Sequence, residues 1–291
     1  MSVRVNTGVN VRLIWRKSLN VVMLSLTGLC ALLTVSVLFF ILGYLIWNGG
    51  KDLSWNFFTK LPAPVGEMGG GMANAILGSL KLLSIAALFG VPIGLLGGVY
   101  LAEFGGRTMP FLVRYTADLM NGVPSIVMGI FAYALVVMPM HHFSTFAGGI
   151  ALAIMVIPTV LRNTESFLRD VPSTLREGSF ALGANKWRMI ATVVLPAASR
   201  GILTGVLLAL ARVAGETAPL LFTAFGNRYW SPGWSQPTSS LPVVIYTYAT
   251  GPYEDWHRQA WAAGLVLLGL VLLTNILVRV FLTRGTAYER T

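Results

Sequence analysis

One cysteine, Cys30, is all the thiol that this 291-residue chain contains. No intrachain disulfide can form, and a metal site built on cysteines is excluded. Charge is scarce too: Asp, Glu, Lys and Arg together make up 11% of the residues, where a soluble domain carries about a quarter. No G-x-x-x-x-G-K-[ST] segment is present, so the chain has no P-loop to cradle nucleotide phosphates. It also lacks His-Glu-x-x-His and a nucleophile elbow, the signatures of a zinc hydrolase and a serine hydrolase. His141 and His142 stand together with no carboxylate or cysteine near them in sequence, which suits a solvated turn better than a metal site.

What fills the chain is apolar. Hydrophobic residues make up 55% of it, and crossing a bilayer takes about 20 of them in a run. Six stretches qualify: Val21–Trp47, Asn74–Leu101, Leu119–Met138, the short Phe146–Leu161, Ile202–Phe225 and Ala260–Leu282. The expected fold is an all-α polytopic membrane protein. Its parts would be an N-terminal segment 1–20, a first span 21–47, an outer loop 48–73, a core 74–285 and a tail 286–291. The first run is too long for a signal-peptide core and has no small-residue exit, so it reads as a true span. In the second run Gly90, Gly94, Gly97 and Gly98 favour close helix packing. Pro92 and Pro219 are expected to kink their helices, which a membrane bundle tolerates.

The net charge of +10 does not cluster as a nucleic-acid face would. Basic residues collect in one set of loops: Arg4, Arg12, Arg16 and Lys17; Arg107 and Arg114; Arg162, Arg169, Arg176, Lys186, Arg188 and Arg200; Arg279, Arg284 and Arg290. The opposite set holds only Lys51, Lys60, Arg228 and Arg258. Such a bias places both termini and the 162–200 loop in the cytoplasm. Aromatics from Tyr229 to Trp256 in the outer loop 226–259 suit either the lipid interface or a partner.

Residues 172–200 carry local instructions of their own. Pro172 suits a helix start, and Thr174 with Glu177 matches a capping box. Gly183 supplies a turn, Asn185 suits an N-cap for a second helix, and Leu195-Pro196 is expected to stop that helix. Within the spans, Arg212 and Glu216 lie four residues apart on one helix face and can pair. Each costs about 2.5–3.5 kcal/mol at mid-membrane on insertion scales. A packing pair and a polar gate both account for them. Arg162, at the inner end of the fourth span, is a further donor or simply a topogenic charge. Lys81 in the second span can snorkel outward.

Glu177, Gly178, Ser179, Gly183, Val193, Leu195 and Pro196 together resemble the EAA loop of ABC-importer permeases, with Gly178 and Ser179 replacing alanines and Val193 replacing isoleucine. Arg212-Val-Ala-Gly-Glu216-Thr-Ala-Pro-Leu-Leu resembles phosphate-importer permeases of the PstA type. Asn121-Gly-Val-Pro-Ser, Leu241-Pro, Ile245-Tyr and Ala260-Trp-Ala are similar to that family as well. The resemblance implies a type I ABC-importer permease subunit for inorganic phosphate in the bacterial inner membrane. It implies partners: a PstC-type permease, a PstB-type ATPase dimer docking on the EAA loop, and a PstS-type binding protein. ATP and Mg2+ would belong to the ATPase, with no cofactor on this chain, and membrane lipid would surround it. Arg162, Arg212 and Glu216 become candidates for the translocation path. Alternatives are a sulfate or molybdate permease, a gradient-driven carrier and a phosphate-sensing signalling subunit.

Overall fold

A computed structural model describes residues 11–67, 69–104, 106 and 108–285. Arg4, Arg107, Arg290 and the tail from 286 fall outside the described residues, as do the side chains from 277 onward. The chain divides into two compact units, Met1–Asn48 and Gly49–Thr291. Helix α1, Val11–Gly49, makes up nearly all that is described of the first, and it is apolar over most of its length.

The second unit is helical, and its one β-bridge among the described residues joins Pro62 to Gly70. After two short helical turns, Gly50–Asp52 and Trp55–Thr59, its elements are α2 (Ala73–Glu103), α3 (Thr108–Gly122), α4 (Ser125–Met140), α5 (Thr145–Arg169), α6 (Ser173–Ala181), α7 (Lys186–Ala214), α8 (Ala218–Leu221), α9 (Leu241–Ala249) and α10 (Glu254–Gly285). Among the described residues five helices are long and apolar enough to cross a membrane, and the bent pair α3–α4, taken as one span, makes a sixth. That pair corrects the expected continuous third span. The chain turns by 109° between α3 and α4, because Pro124 disfavours helical geometry in the residue before it.

Lipid offers no hydrophobic drive between helices, so close backbone approach must hold them. The most extensive interface, α2 on α5, is built that way. A Cβ added at Gly90, Gly94 or Gly98 would lie 2.9, 2.8 or 2.5 Å from the Cβ of Val156, Val160 or Thr164. Side chains there would push the two helices apart, so the glycines serve packing. Leu82, Leu152, Val156, Val160, Val194 and Val213 continue this core from α2 through α5 into α7.

The fifth span begins and ends earlier than the apolar run. Helix α7 starts at Lys186, runs unbroken through Pro196 and stops at Ala214, where Gly215 follows. Pro196 therefore does not end the helix. A π turn, Ile190–Val194, lies just before it, as another, Tyr133–Val137, lies before Pro139. Proline lacks an N–H and crowds the carbonyl four residues back; locally widening the helix accommodates both. Pro219 likewise kinks no long helix, since it opens the short α8.

The segment 226–259 is more ordered than a loop. Its helix α9 buries Leu241, Val243 and Val244, and the Leu241 N–H donates to Ser79 Oγ at 2.8 Å. The aromatics divide: Tyr248 and Trp256 stack at 4.6 Å, while Tyr229 and Trp234 remain exposed. Lys81 does not simply snorkel. Its Nζ donates to the carbonyls of Ser231 and Pro232 and lies 5.7 Å from the Trp234 ring. His141 occupies a left-handed turn (φ 57°) after α4.

Candidate functional site

Three arrangements carry chemistry, and the first is the cleft at Arg212. The last turn of α7 presents this side chain beside Asn121, Met128, Met155 and Thr159. Arg212 and Glu216 do not pair. The helix ends at Ala214, and Gly215 caps it with its N–H on the Arg212 carbonyl at 3.3 Å. Glu216 therefore leaves the helical face on which a four-residue spacing would bring the two together. Neither side chain has a hydrogen-bond or ion-pair partner among the described residues.

The second arrangement is a ladder between α3 and α5. Thr159 Oγ1 donates to Asn121 Oδ1 at 3.1 Å. Arg162 Nε meets Asp118 Oδ1 at 2.9 Å. Arg114 Nε meets Glu165 Oε1 at 2.6 Å. Positions 121, 118 and 114 descend one helix as 159, 162 and 165 ascend the other, so the two helices run antiparallel with one rung per turn. Glu165, whose side chain is 3% exposed, also takes Arg162 at 2.9 Å and Arg169 at 2.9 Å. Arg162 is thus already engaged with two carboxylates of its own chain. Sequence reasoning missed Asp118 and Glu165. The spacings Arg162–Glu165 and Glu165–Arg169 were visible signals; the bond to Arg114 was not.

The third is the segment α6–α7. The backbone at Ala181–Ala184 forms a Schellman turn, with Gly183 N–H on Phe180 O at 2.9 Å and Ala184 N–H on Ser179 O at 3.2 Å. Gly183 takes φ +80° there, a value that strains any residue with a Cβ. Asn185 caps the next helix, accepting the Arg188 N–H at 2.9 Å. Pro172 stands at the N-cap of α6, and the Thr174–Glu177 capping box does not form. Glu177, Gly178 and Gly183 are exposed, Val193 and Leu195 are half-buried, Pro196 is exposed and Ser179 is buried. Leu182 (91% exposed) and Trp187 (67% exposed) add bare apolar surface.

This segment is bound to the C-terminal end of α2. Arg176 donates through Nη2 to Glu103 Oε1 at 2.8 Å and to Leu168 O at 2.6 Å, and through Nη1 to Val171 O at 2.5 Å. The Phe104 and Trp187 rings lie 4.9 Å apart, and Lys186 Nζ sits 4.3 Å from the Phe104 ring. Among the described residues no three His, Cys, Asp or Glu side chains converge as a metal would require.

Residues 90–284 match the family described as binding-protein-dependent transport system inner membrane component. The phosphate transport system permease protein PstA of Yersinia pestis is 44% identical over 93% of this chain and 92% of its own length. A probable PstA of Methanocaldococcus jannaschii is 35% identical over 89% of this chain and 92% of its own. Among solved structures, the inward-facing MetNI methionine ABC transporter is 20% identical. It matches 74% of this chain and 97% of its own with a TM-score of 0.60. A bacterial alginate ABC importer, 16% identical, matches 91% of this chain and 98% of its own with a TM-score of 0.57. The all-α fold is that of type I ABC-importer permeases, and the chain belongs to the binding-protein-dependent inner membrane transport components, within their PstA group.

Proposed function

We propose that this chain is one of two permease subunits of an ATP-driven importer of inorganic phosphate, paired with a PstC-type permease. A PstB-type ATPase dimer would bind below and a PstS-type binding protein outside, with ATP and Mg2+ held by the ATPase. The observation that carries the path is Arg212: it is exposed at the edge of a small cleft and has no partner among the described residues, while Arg114, Arg162, Arg169 and Arg176 each meet a carboxylate. An unpartnered cation within a span is costly unless an anion visits it. Its planar fork matches two oxygens of a tetrahedral oxyanion. Glu216 supplies an acceptor for a protonated phosphate oxygen, which fully ionised sulfate lacks. Arg162 is the third candidate along the path.

A site that hydrogen-bonds a substrate proton rejects an analogue without it, by about 10²-fold or more. Vesicles holding the assembled complex are expected to take up labelled phosphate with little competition from sulfate, and Glu216→Gln to narrow that preference. Equal uptake of sulfate and phosphate by the unaltered complex would overturn the phosphate assignment.

Glu177, Gly178, Ser179, Gly183, Val193, Leu195 and Pro196 form the docking segment for the ATPase in this reading. The exposed Leu182 and Trp187 beside them support it, since bare apolar surface outside the membrane marks an interaction site. Both termini lie in the cytoplasm with that segment, on the strength of the basic-residue bias. Reporter fusions at Thr291 and at Trp234 are expected on opposite sides of the membrane; finding both on one side would refute the topology.

A further inference from the structure

The Arg212 cleft and the α3–α5 ladder are one continuous structure. Asn121 and Thr159 form the first rung and also line the cleft. Arg162 follows Thr159 by three residues, roughly one turn or about 5 Å along α5. An oxyanion leaving Arg212 toward the cytoplasm therefore meets Arg162 next.

The two carboxylates on Arg162 are not equivalent. Glu165 is buried at 3% exposure and is shared with Arg114 and Arg169, so it is fixed. Asp118 is 55% exposed and makes a single ion pair among the described residues, so it can leave. The charges favour its exchange with substrate. Arg114, Arg162 and Arg169 against Glu165 and Asp118 leave one net positive charge. Without Asp118 the cluster carries two, which matches a dianion such as hydrogen phosphate. Asp118 also lies on the short helix that meets α4 at the 109° bend, so releasing it frees α3 from α5 at that rung.

We propose that Arg162 is a second binding point for the transported oxyanion, and that the Asp118 carboxylate is its placeholder. Asp118 holds α3 against α5 until substrate displaces it, and its return expels the substrate inward. This rests on the phosphate-permease reading for the identity of the anion, but not for the exchange itself.

Equilibrium dialysis of inorganic phosphate against the assembled permease–ATPase complex, without nucleotide or binding protein, tests it. Asp118→Asn removes the competing charge and is expected to tighten phosphate binding about tenfold, a typical scale for one charged hydrogen bond. Asp118→Glu keeps the competing charge and is expected to tighten binding far less than Asp118→Asn. Adding Arg162→Gln to Asp118→Asn abolishes the gain, while Glu165 remains paired with Arg114 and Arg169. Asp118 as a merely structural partner would leave affinity unchanged or weaken it when replaced, and either result overturns the proposal. Sulfate is dialysed in parallel. Tightening for sulfate alone would keep the exchange and reject phosphate as the substrate. No tightening for either anion would reject the exchange whatever the complex transports.

Discussion

Arg212→Gln is expected to yield a permease that inserts and assembles normally yet carries phosphate at least about a hundredfold more slowly. Two charged hydrogen bonds to an oxyanion are worth about 1.5–3 kcal/mol each, and about 1.4 kcal/mol is a factor of ten in rate. Assembly survives for a structural reason. Arg212 has no partner among the described residues, so its loss strands no carboxylate. Arg212→Lys keeps the charge and loses the planar fork, and should fall between the two. The measurements are phosphate uptake by reconstituted vesicles and the subunit content of the purified complex. An assembled Arg212→Gln complex with undiminished uptake would remove Arg212 from the path.

Arg176→Ala should do the reverse: leave the path intact and disconnect it from the motor. The Glu103 side chain is 5% exposed, and Arg176 is its partner at 2.8 Å. Removing one member of a buried pair costs about 3–5 kcal/mol, because the other charge stays behind. Here that cost falls on the attachment of α6 to the C-terminal ends of α2 and α5, since Arg176 also holds the carbonyls of Leu168 and Val171. The expected result is ATP hydrolysis with uptake per ATP lowered about tenfold or more, the smaller part of that energy already sufficing. Gly183→Val should act alike, since a φ of +80° strains a β-branched residue by about 1–3 kcal/mol. The swap Arg176→Glu with Glu103→Arg is expected to restore part of the coupling. A ratio of uptake to hydrolysis equal to that of the unaltered complex in Arg176→Ala would show that the Arg176–Glu103 contact transmits nothing.

Features that depend on a few neighbouring residues were legible beforehand. The Gly183 turn and the Asn185 cap both formed, because a turn and a cap are settled within about four residues. The small-residue stripe from Gly90 to Gly98 read correctly as packing. Expectations failed where a local rule met a wider context. Pro196 was expected to end a helix, but the π turn before it let the helix continue. The four-residue spacing of Arg212 and Glu216 suggested a pair, but it holds only inside a helix, and Gly215 ended the helix between them. The apolar run Leu119–Met138 looked like one span, but composition carries no information about the bend at Pro124.

The sequence by itself determined that this is a multi-span helical membrane protein, which loop resembles a docking segment and which arginines are candidates for an anion. Apolar run length, charge placement and short motifs carry that information directly, since each is a property of neighbouring residues. Only the tertiary structure decided which distant carboxylates Arg114, Arg162 and Arg176 meet. Arg114 and Glu165 are 51 positions apart, and Arg176 and Glu103 are 73. Their contacts exist because close packing, at the glycines of α2 on α5 and along α3 on α5, sets where these helix ends come together. Among the described residues that packing adds Asp118 to the Glu165 that Arg162 meets on its own helix and brings Arg212 no carboxylate, and no spacing along the chain encodes the bond to Asp118.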